Sequence, residues 1–412
     1  MERTMRMHAD KIVASSIQAV LPDEAVKRAL SGAELTGRIV LVAAGKAAWQ
    51  MAKAASDQLG ERIHKGVVVT KYDHVMGQIP HATCYEAGHP VPDENSYKAT
   101  QAAIDAVDGL TEEDTVLFLL SGGGSALFEK PLIPAEDLTR LTQELLACGA
   151  DIVEMNTVRK RFSAVKGGKF AVLCAPAKVY AVVLSDIIGD PLDMIASGPA
   201  YPDSSTAQQA QMIAEKYHLT LTEQMRALLE VETPKTLSNV TTQITGSVRE
   251  LCRAAEDACR ELGYEPVTLT ASLSCTARDA GVMLANIAQY HQNRQKSLAF
   301  IIGGETVVHL TGHGKGGRNQ ELALAAAPGI AGMKETAVFS LGSDGTDGPT
   351  DAAGGYVDGD TLSELRAKGI EVYQVLQEND AYHALEACGG LIKTGATGTN
   401  VNDVSVLLLH KE

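Results

Sequence analysis

Short apolar runs rich in β-branched residues alternate with longer stretches whose apolar positions recur every three or four residues. That alternation predicts an α/β chain. Strands are expected at 38–43, 66–70, 115–120 and 179–184 in the first half, and at 266–270, 297–302, 306–310, 336–341 and 403–409 in the second. Helices are expected between them, notably at 46–59, 94–107, 135–148, 248–262, 276–292 and 319–327. Residues 8–30 read as two amphipathic helices split by Pro22-Asp23. The Thr-, Ser- and Pro-rich stretch 231–246 is the best place for a domain boundary, and divides the chain into an N-terminal domain, 1–235, and a C-terminal domain, 236–412. No internal repeat or low-complexity tract interrupts this pattern.

Four of the strand ends carry chemistry. The first strand runs into Ala44-Gly45-Lys46, the third into Ser121-Gly122-Gly123-Gly124-Ser125, and the fourth into Ser185-Asp186 with Asp190 close behind. The strand at 336–341 runs into GSDGTDG, with Asp344 and Asp347. Open α/β sheets bind ligands outside the carboxyl ends of their strands, so the gathering of Gly, Ser, Asp and Lys at these ends is a stronger signal than any single motif. The turn at 121–125 offers backbone donors and two hydroxyls to a phosphate or carboxylate. It is neither a hydrolase elbow, since G-x-S-x-G fails at Leu127, nor a Walker A loop, since no Gly-Lys-Ser/Thr ends it. Lys46 opens a predicted helix, where the helix dipole disfavours a cation by roughly 0.3–1 kcal/mol. Such a lysine is either solvated or placed to neutralise a phosphoryl group.

The stretch GGETVVHLTGHGKGGRNQELALAAA (303–327) combines Glu305, a glycine turn, Lys315 and Arg318 ahead of a strong helix former. Read as strand, turn and helix, it exposes the donors of Gly314, Lys315, Gly316, Gly317 and Asn319 to an anion. The same residues spell Gly312-x-Gly314-x-x-Gly317, a dinucleotide fingerprint, and Asp344 follows the next strand. Lys315 and Arg318 crowd the space that motif keeps for a pyrophosphate, and Glu305 has no role in it. The plainer alternative is a glycine turn that lets a helix pack closely on a sheet.

In MNTVRKRFSAVKGGKF (155–170), Arg159 and Lys160 are candidates to meet a substrate carboxylate, with a solvated helix face as the alternative. GHPVPD (88–93) reads as a rigid loop in which Asp93 or Asn95 caps the next helix, and His89 is a lesser site candidate. Asp186, Asp190, Glu305, Asp344 and Asp347 are the carboxylates suited to Mg²⁺, which takes one or two of them with phosphates and water. No Cys/His cluster suggests zinc.

A net charge of −15 argues against nucleic acid and polybasic membrane contacts as the main business of the chain. A local basic site for small anions remains compatible with it. The seven cysteines are scattered without C-x-x-C, which predicts a reduced, cytoplasmic protein. Neither a signal peptide nor a membrane span is expected. The expected partners are small molecules, with a homodimer as the assembly to test.

Eight blocks in order resemble the glycerate 2-kinases that carry a MOFRL domain: AAGKAAWQMA (43–52), GHPVPDENS (88–96), LLSGGGSALFEKP (119–131), NTVRKRFSAVKGGKFA (156–171), SDIIGDPLDMIASGP (185–199), GGETVVHLTGHGKGGRNQEL (303–322), GSDGTDGPTDAAGG (342–355) and TGTNVNDVSVLL (397–408). The resemblance spans nearly the whole chain. It implies ATP-dependent phosphorylation of D-glycerate to 2-phospho-D-glycerate with a divalent cation, Mg²⁺ being the natural choice. It also implies a Rossmann-like first domain with a largely parallel sheet, a smaller second α/β domain with a mixed sheet, and an active site in the interdomain cleft. Lys46 and Arg318 match the family's suspected catalytic groups, and Asp186 is the carboxylate to test as base. Arg161-Phe162 departs from the His-Leu expected there. Some family members carry the label hydroxypyruvate reductase, so an NAD(P)H-dependent oxidoreductase is the alternative activity.

Overall fold

In the computed structural model, which describes residues 2–189 and 191–411, the chain forms two compact α/β units. One spans Ala25–Thr245, and the other joins the residues up to Glu24 to those from Gly246 onward. In the first unit β1 (Ile39–Ala44), β2 (Ile63–Lys71), β3 (Ala82–Ala87), β4 (Thr115–Leu120), β5 (Lys178–Leu184) and β6 (Val240–Gly246) form one sheet in the order β3-β2-β1-β4-β5-β6. The pairs from β3 through β5 are all parallel, and the order is that of the Rossmann sheet. The central strands IVLVAA and TVLFLL are buried at every position, as strands covered by helices on both faces must be. Beneath β4, Phe118, Phe128 and Phe170 pack with ring centroids 4.9–5.4 Å apart, which anchors the turn that follows this strand.

The second unit contains β7 (Glu265–Leu273), β8 (Leu298–Gly304), β9 (Thr336–Gly342), β10 (Gly354–Asp358), β11 (Leu391–Ile392) and β12 (Asp403–Leu409), in the order β11-β10-β9-β12-β8-β7. Only β7 and β8 pair in parallel; the other pairs are antiparallel, so this sheet is mixed. The last strand therefore stays in its own unit, between β8 and β9. The helix Arg318–Ile330 is buried from Asn319 to Ala327. It lies against the helix Ala277–Tyr290, where a Cβ at Gly281 would collide with the Leu322 carbonyl.

The division differs from 1–235 and 236–412 in two places. Residues 236–245 stay with the first unit because Val240–Gly246 extends its sheet as β6, with Val179 N–H donating to the Asn239 carbonyl at 2.7 Å. The first helix, Glu2–Val20, belongs to the second unit. Its apolar stripe of Met5, Ile12, Val13, Ile17 and Val20 shares a core with Leu251, Phe339 and Val406, which is where an amphipathic helix buries such a face. The strand expected at 306–310 does not form either. Val307 makes a single bridge to Thr276, and Val307 and Leu310 are 49% and 83% exposed. Without a neighbour to pair with, a β-branched run gains no ladder. Among the described residues no helix is long and apolar enough to cross a membrane.

Candidate active site

β1 and β4 lie in parallel register with Ala44 opposite Leu120, so the turns after them leave the sheet side by side. The strand order reverses at this pair, which makes their carboxyl ends the binding crevice of an open sheet. Hydrogen bonds lock the two turns together. Ser121 N–H donates to the Ala44 carbonyl at 3.1 Å and Lys46 N–H to the Gly122 carbonyl at 2.8 Å. Ala47 N–H donates to Ser121 Oγ at 3.0 Å. Gly45 has φ +129°, and a Cβ there would collide with Ser121, so only glycine allows this approach.

Three candidate side chains meet on this turn. A Cβ built on Gly123 would lie 3.1 Å from both His89 Nε2 and Lys46 Cγ, so both side chains rest over it. A Cβ on Gly122 would collide with the Asp186 carboxylate, which reaches the turn from just beyond β5. His89 is held below its ordinary pKa by burial and then by the charges of Lys46 and Lys71, so the imidazole is neutral near pH 7. Ser125 Oγ shares a hydrogen bond with Ser197 Oγ at 3.2 Å, and Ser197 Oγ donates to Asn156 Oδ1 at 3.1 Å. Lys46, Ser121, Gly122, Gly123, Gly124, Ser125 and Asp186, all expected from the sequence, thus lie in one place, with His89 added. Asp93 is the helix cap, in a box with Ser96.

The block NTVRK splits. Arg159 is half-buried, and its Nε is buried without a hydrogen-bond partner. Lys160, expected at a substrate anion, is buried instead and pairs with Asp203 at 3.0 Å. Its charge is consumed inside the unit, because a buried ammonium must be paired. Arg161 is likewise fully buried, donating to the Ser205 carbonyl at 2.9 Å and to Thr233 Oγ1 at 3.1 Å.

In the second unit, Arg318 pairs with acidic residues from two neighbouring strand ends, and Asp344 follows a third. β12 opens with Asp403, opposite Gly304 at the end of β8 and Gly342 at the end of β9. Glu305 follows the first of these glycines and Asp344 lies two residues beyond the second. Arg318 Nε and Nη2 donate to the two oxygens of Asp403 at 2.5 and 3.0 Å, and Nη1 donates to Glu305 at 2.8 Å. A Cβ at Gly342 would stand 3.2 Å from Asp344 Oδ1 and 3.4 Å from Asp403 Oδ1, so Asp344 borders the same group. Burial alone would lower the Arg318 pKa, but the hydrogen bonds and charge of Asp403, with Glu305 behind them, hold it above its ordinary value. Asp403 is not singled out by the sequence; its one signal is a carboxylate opening the mostly apolar strand DVSVLLL.

The glycine segment itself behaves differently from the sequence expectation. Gly312 N–H donates to Asn379 Oδ1 at 2.9 Å, Gly314 N–H to the Glu378 carbonyl at 2.8 Å and Lys315 N–H to Asp380 Oδ1 at 2.9 Å. Cβ atoms at Gly312 and Gly314 would collide with residues 378–380. These donors hold a loop rather than an external phosphate. What remains of Lys315 is its ammonium, 4.0 Å above the Tyr382 ring.

The helix N-terminus is filled as well. Asp347 accepts from Asn319 N–H at 3.1 Å and from Gln320 N–H at 2.8 Å, and a Cβ on Gly317 would strike it. The anion expected at this helix end is thus the protein's own carboxylate, which removes Asn319 N–H as a phosphate donor and makes Asp347 a cap rather than a metal ligand. Gly316 and Gly317 give the close approach to this loop: a Cβ at Gly316 would lie 3.3 Å from Ala381 N. Among the described residues no three His, Cys, Asp or Glu side chains gather to hold a metal. Asp190 lies outside the described residues.

Burial, reinforced by Asp403, pushes the Asp347 pKa up to about 6 despite its hydrogen bonds. A carboxyl raised above its unfolded value binds more protons folded than unfolded, so stability falls as pH rises from about 4 to about 6. The expected contribution is a slope of at most roughly 1.4 kcal/mol per pH unit in that window, and none above it. Thermal unfolding of wild type and Asp347→Asn across pH 4–8 checks this. Parallel curves throughout would exclude titration of this group.

Residues 8–230 match the family described as "Domain of unknown function (DUF4147)", and residues 298–403 match the MOFRL family. The chain is 52% identical over 412 residues to a D-glycerate 2-kinase of Thermotoga maritima, covering 98% of this chain and 99% of the relative. A glycerate 2-kinase of Pyrococcus horikoshii is 39% identical over 427 residues, covering 97% and 96%. The crystal structure of a glycerate kinase from Thermotoga maritima superposes with a TM-score of 0.95 at 52% identity, covering 99% of this chain and all of that one.

Proposed function

The chain belongs to the glycerate 2-kinase family with a MOFRL domain, and on that premise we propose that it transfers the terminal phosphoryl group of ATP to the 2-hydroxyl of D-glycerate, giving 2-phospho-D-glycerate and ADP. The full-length match to a D-glycerate 2-kinase supports this most. The geometry suits the chemistry, because phosphoryl transfer asks a protein mainly for positioning and charge stabilisation. Lys46 and the turn Ser121–Ser125 offer a cation and donors at the switch point of one sheet, and Arg318 offers a guanidinium at the strand ends of the other.

In this reading Asp186 receives the proton of the 2-hydroxyl as the oxygen attacks, and Lys46 and Arg318 balance charge on the transferring group. Arg159, half-buried with an unpartnered Nε, meets the substrate carboxylate. Mg²⁺ needs only one or two carboxylates beside phosphate oxygens. Glu305 and Asp344, next to Arg318, have that chemistry and would hold it; once bound it would neutralise phosphate charge.

The oxidoreductase alternative, drawn from the label some family members carry, gains no support from the glycine fingerprint. Gly312-x-Gly314-x-x-Gly317 follows no strand, and its donors at Gly312 and Gly314 are spent on residues 378–379. One assay separates the two. Incubation with D-glycerate, ATP and Mg²⁺ should yield the 2-phosphate by phosphorus NMR, while hydroxypyruvate should not consume NAD(P)H. A 3-phosphate product, or reductase turnover alone, would sink the proposal.

Lys315 is expected to contact phosphate in the ground state through its ammonium. Lys315→Ala should therefore raise KM for ATP several-fold and lower kcat by less than about tenfold, the signature of lost uniform binding. Steady-state kinetics at saturating D-glycerate check it, and a collapse of kcat with unchanged KM would contradict it.

A further inference from the structure

We propose that Asp403 is a positioning residue that fixes the direction in which Arg318 presents its charge. The inference rests on the reading of Arg318 as a phosphoryl-stabilising group. A guanidinium on a flexible stem has many orientations, and a misplacement of about 1 Å can cost about 10²-fold in turnover. Here the fork is seized from behind. Asp403 takes Nε and Nη2 with its two oxygens, the bidentate geometry that sets the plane of the group. Nη1 alone points elsewhere, to Glu305, which is 46% exposed. The open nitrogen thus faces a solvent-accessible carboxylate, a position that a phosphoryl oxygen suits equally well.

Asp403 is itself held rigidly. It is buried at the first residue of the central strand β12, between glycines on both sides. Two residues along the same strand, Ser405 joins a buried chain of hydrogen bonds. Ser340 Oγ donates to Asn319 Oδ1 at 2.5 Å and shares a hydrogen bond with Ser405 Oγ at 2.7 Å. Asn319 Nδ2 in turn donates to Asp347 Oδ1 at 3.3 Å. Asn319, which the sequence suggested as a phosphate contact, is thus buried and turned to the protein's own groups. The guanidinium is anchored to the centre of a sheet instead of to a loop, which suits a group that must not move when charge develops.

The test is a double-mutant cycle on Arg318 and Asp403 in the full-length enzyme, read as kcat with D-glycerate and ATP. Asp403→Asn keeps the shape of the side chain but loses its charge and one acceptor. It should lower kcat by about 10²-fold with KM for both substrates within about threefold. In an Arg318→Ala background the same change should cost less than about twofold, since there is no guanidinium left to aim. Added guanidinium ion should restore part of the activity of Arg318→Ala and none of that of the double variant. If the two losses multiply, Asp403 acts independently of Arg318 and the proposal is overturned. It is also overturned if Asp403→Asn turns over normally while Arg318→Ala does not. Near-normal turnover of Arg318→Ala itself would instead remove the reading of Arg318 on which the proposal stands.

Discussion

Arg318→Ala is expected to lower kcat by about 10³-fold or more, the scale of arginines that stabilise charge in other phosphoryl transfers. KM for ATP should change far less, because the interaction is made chiefly in the transition state. The guanidinium is 33% exposed, and only one nitrogen is turned from its buried partner. The variant also leaves Asp403 in the interior without its cation. Removing one member of a buried pair is destabilising, but Asp403 can take up a proton, so a lower Tm with a cooperative transition is expected. Arg318→Lys separates charge from geometry. It keeps the cation near Asp403 yet cannot make the bidentate fork, so it should recover Tm more than it recovers kcat. Circular dichroism melts beside initial rates would show this, and normal turnover by folded Arg318→Ala would end the assignment.

The contrast between Arg318 and the glycines before it shows what a sequence can reveal. The apolar runs that became β1, β4, β5, β8, β9 and β12 are legible because burial on both faces demands unbroken hydrophobicity. Strands at or beside the sheet edges mostly are not, β7 excepted. β6 reads VTTQITG and is half exposed, so its polarity resembles that of a linker. β10 begins with two glycines that no strand pattern favours, yet a Cβ at Gly354 would strike the Ser340 carbonyl. At the site, residues that follow buried strands were found because topology delivers strand ends to one place.

What the sequence hides is who consumes each polar group. The glycine segment at 312–317 looks like a phosphate cradle until Asn379, Asp380 and Asp347, distant in sequence, take its donors. Lys160 looks like a substrate cation until Asp203 pairs with it. Asp403 was passed over for the complementary reason, since one carboxylate at a strand start carries no pattern of its own. Partnership across 27 to 85 residues is a property of the fold, and only the folded structure exposes it.

Lys46→Ala is expected to cost about 10²-fold or more in kcat while leaving Tm close to wild type, because its side chain and its backbone do separate jobs. The backbone of Lys46 is a structural joint. Its N–H donates to the Gly122 carbonyl at 2.8 Å, and its carbonyl accepts from Thr70 Oγ1 at 3.1 Å and lies 3.2 Å from His74 Nδ1. None of these bonds depends on the side chain, so alanine preserves the join between the turns after β1 and β4. The stem beyond Cβ instead lies over Gly123, beside a neutral His89 and on the turn that Asp186 also touches. An ammonium there places positive charge on the glycine turn, and truncation leaves that turn without it. Lys46→Arg should rescue only in part, since a planar fork is longer and bulkier than the point charge the crowded turn accommodates. Rates and melts measured on the same preparations decide it: full activity in Lys46→Ala, or a large drop in Tm, would show that the side chain serves the fold rather than the transfer.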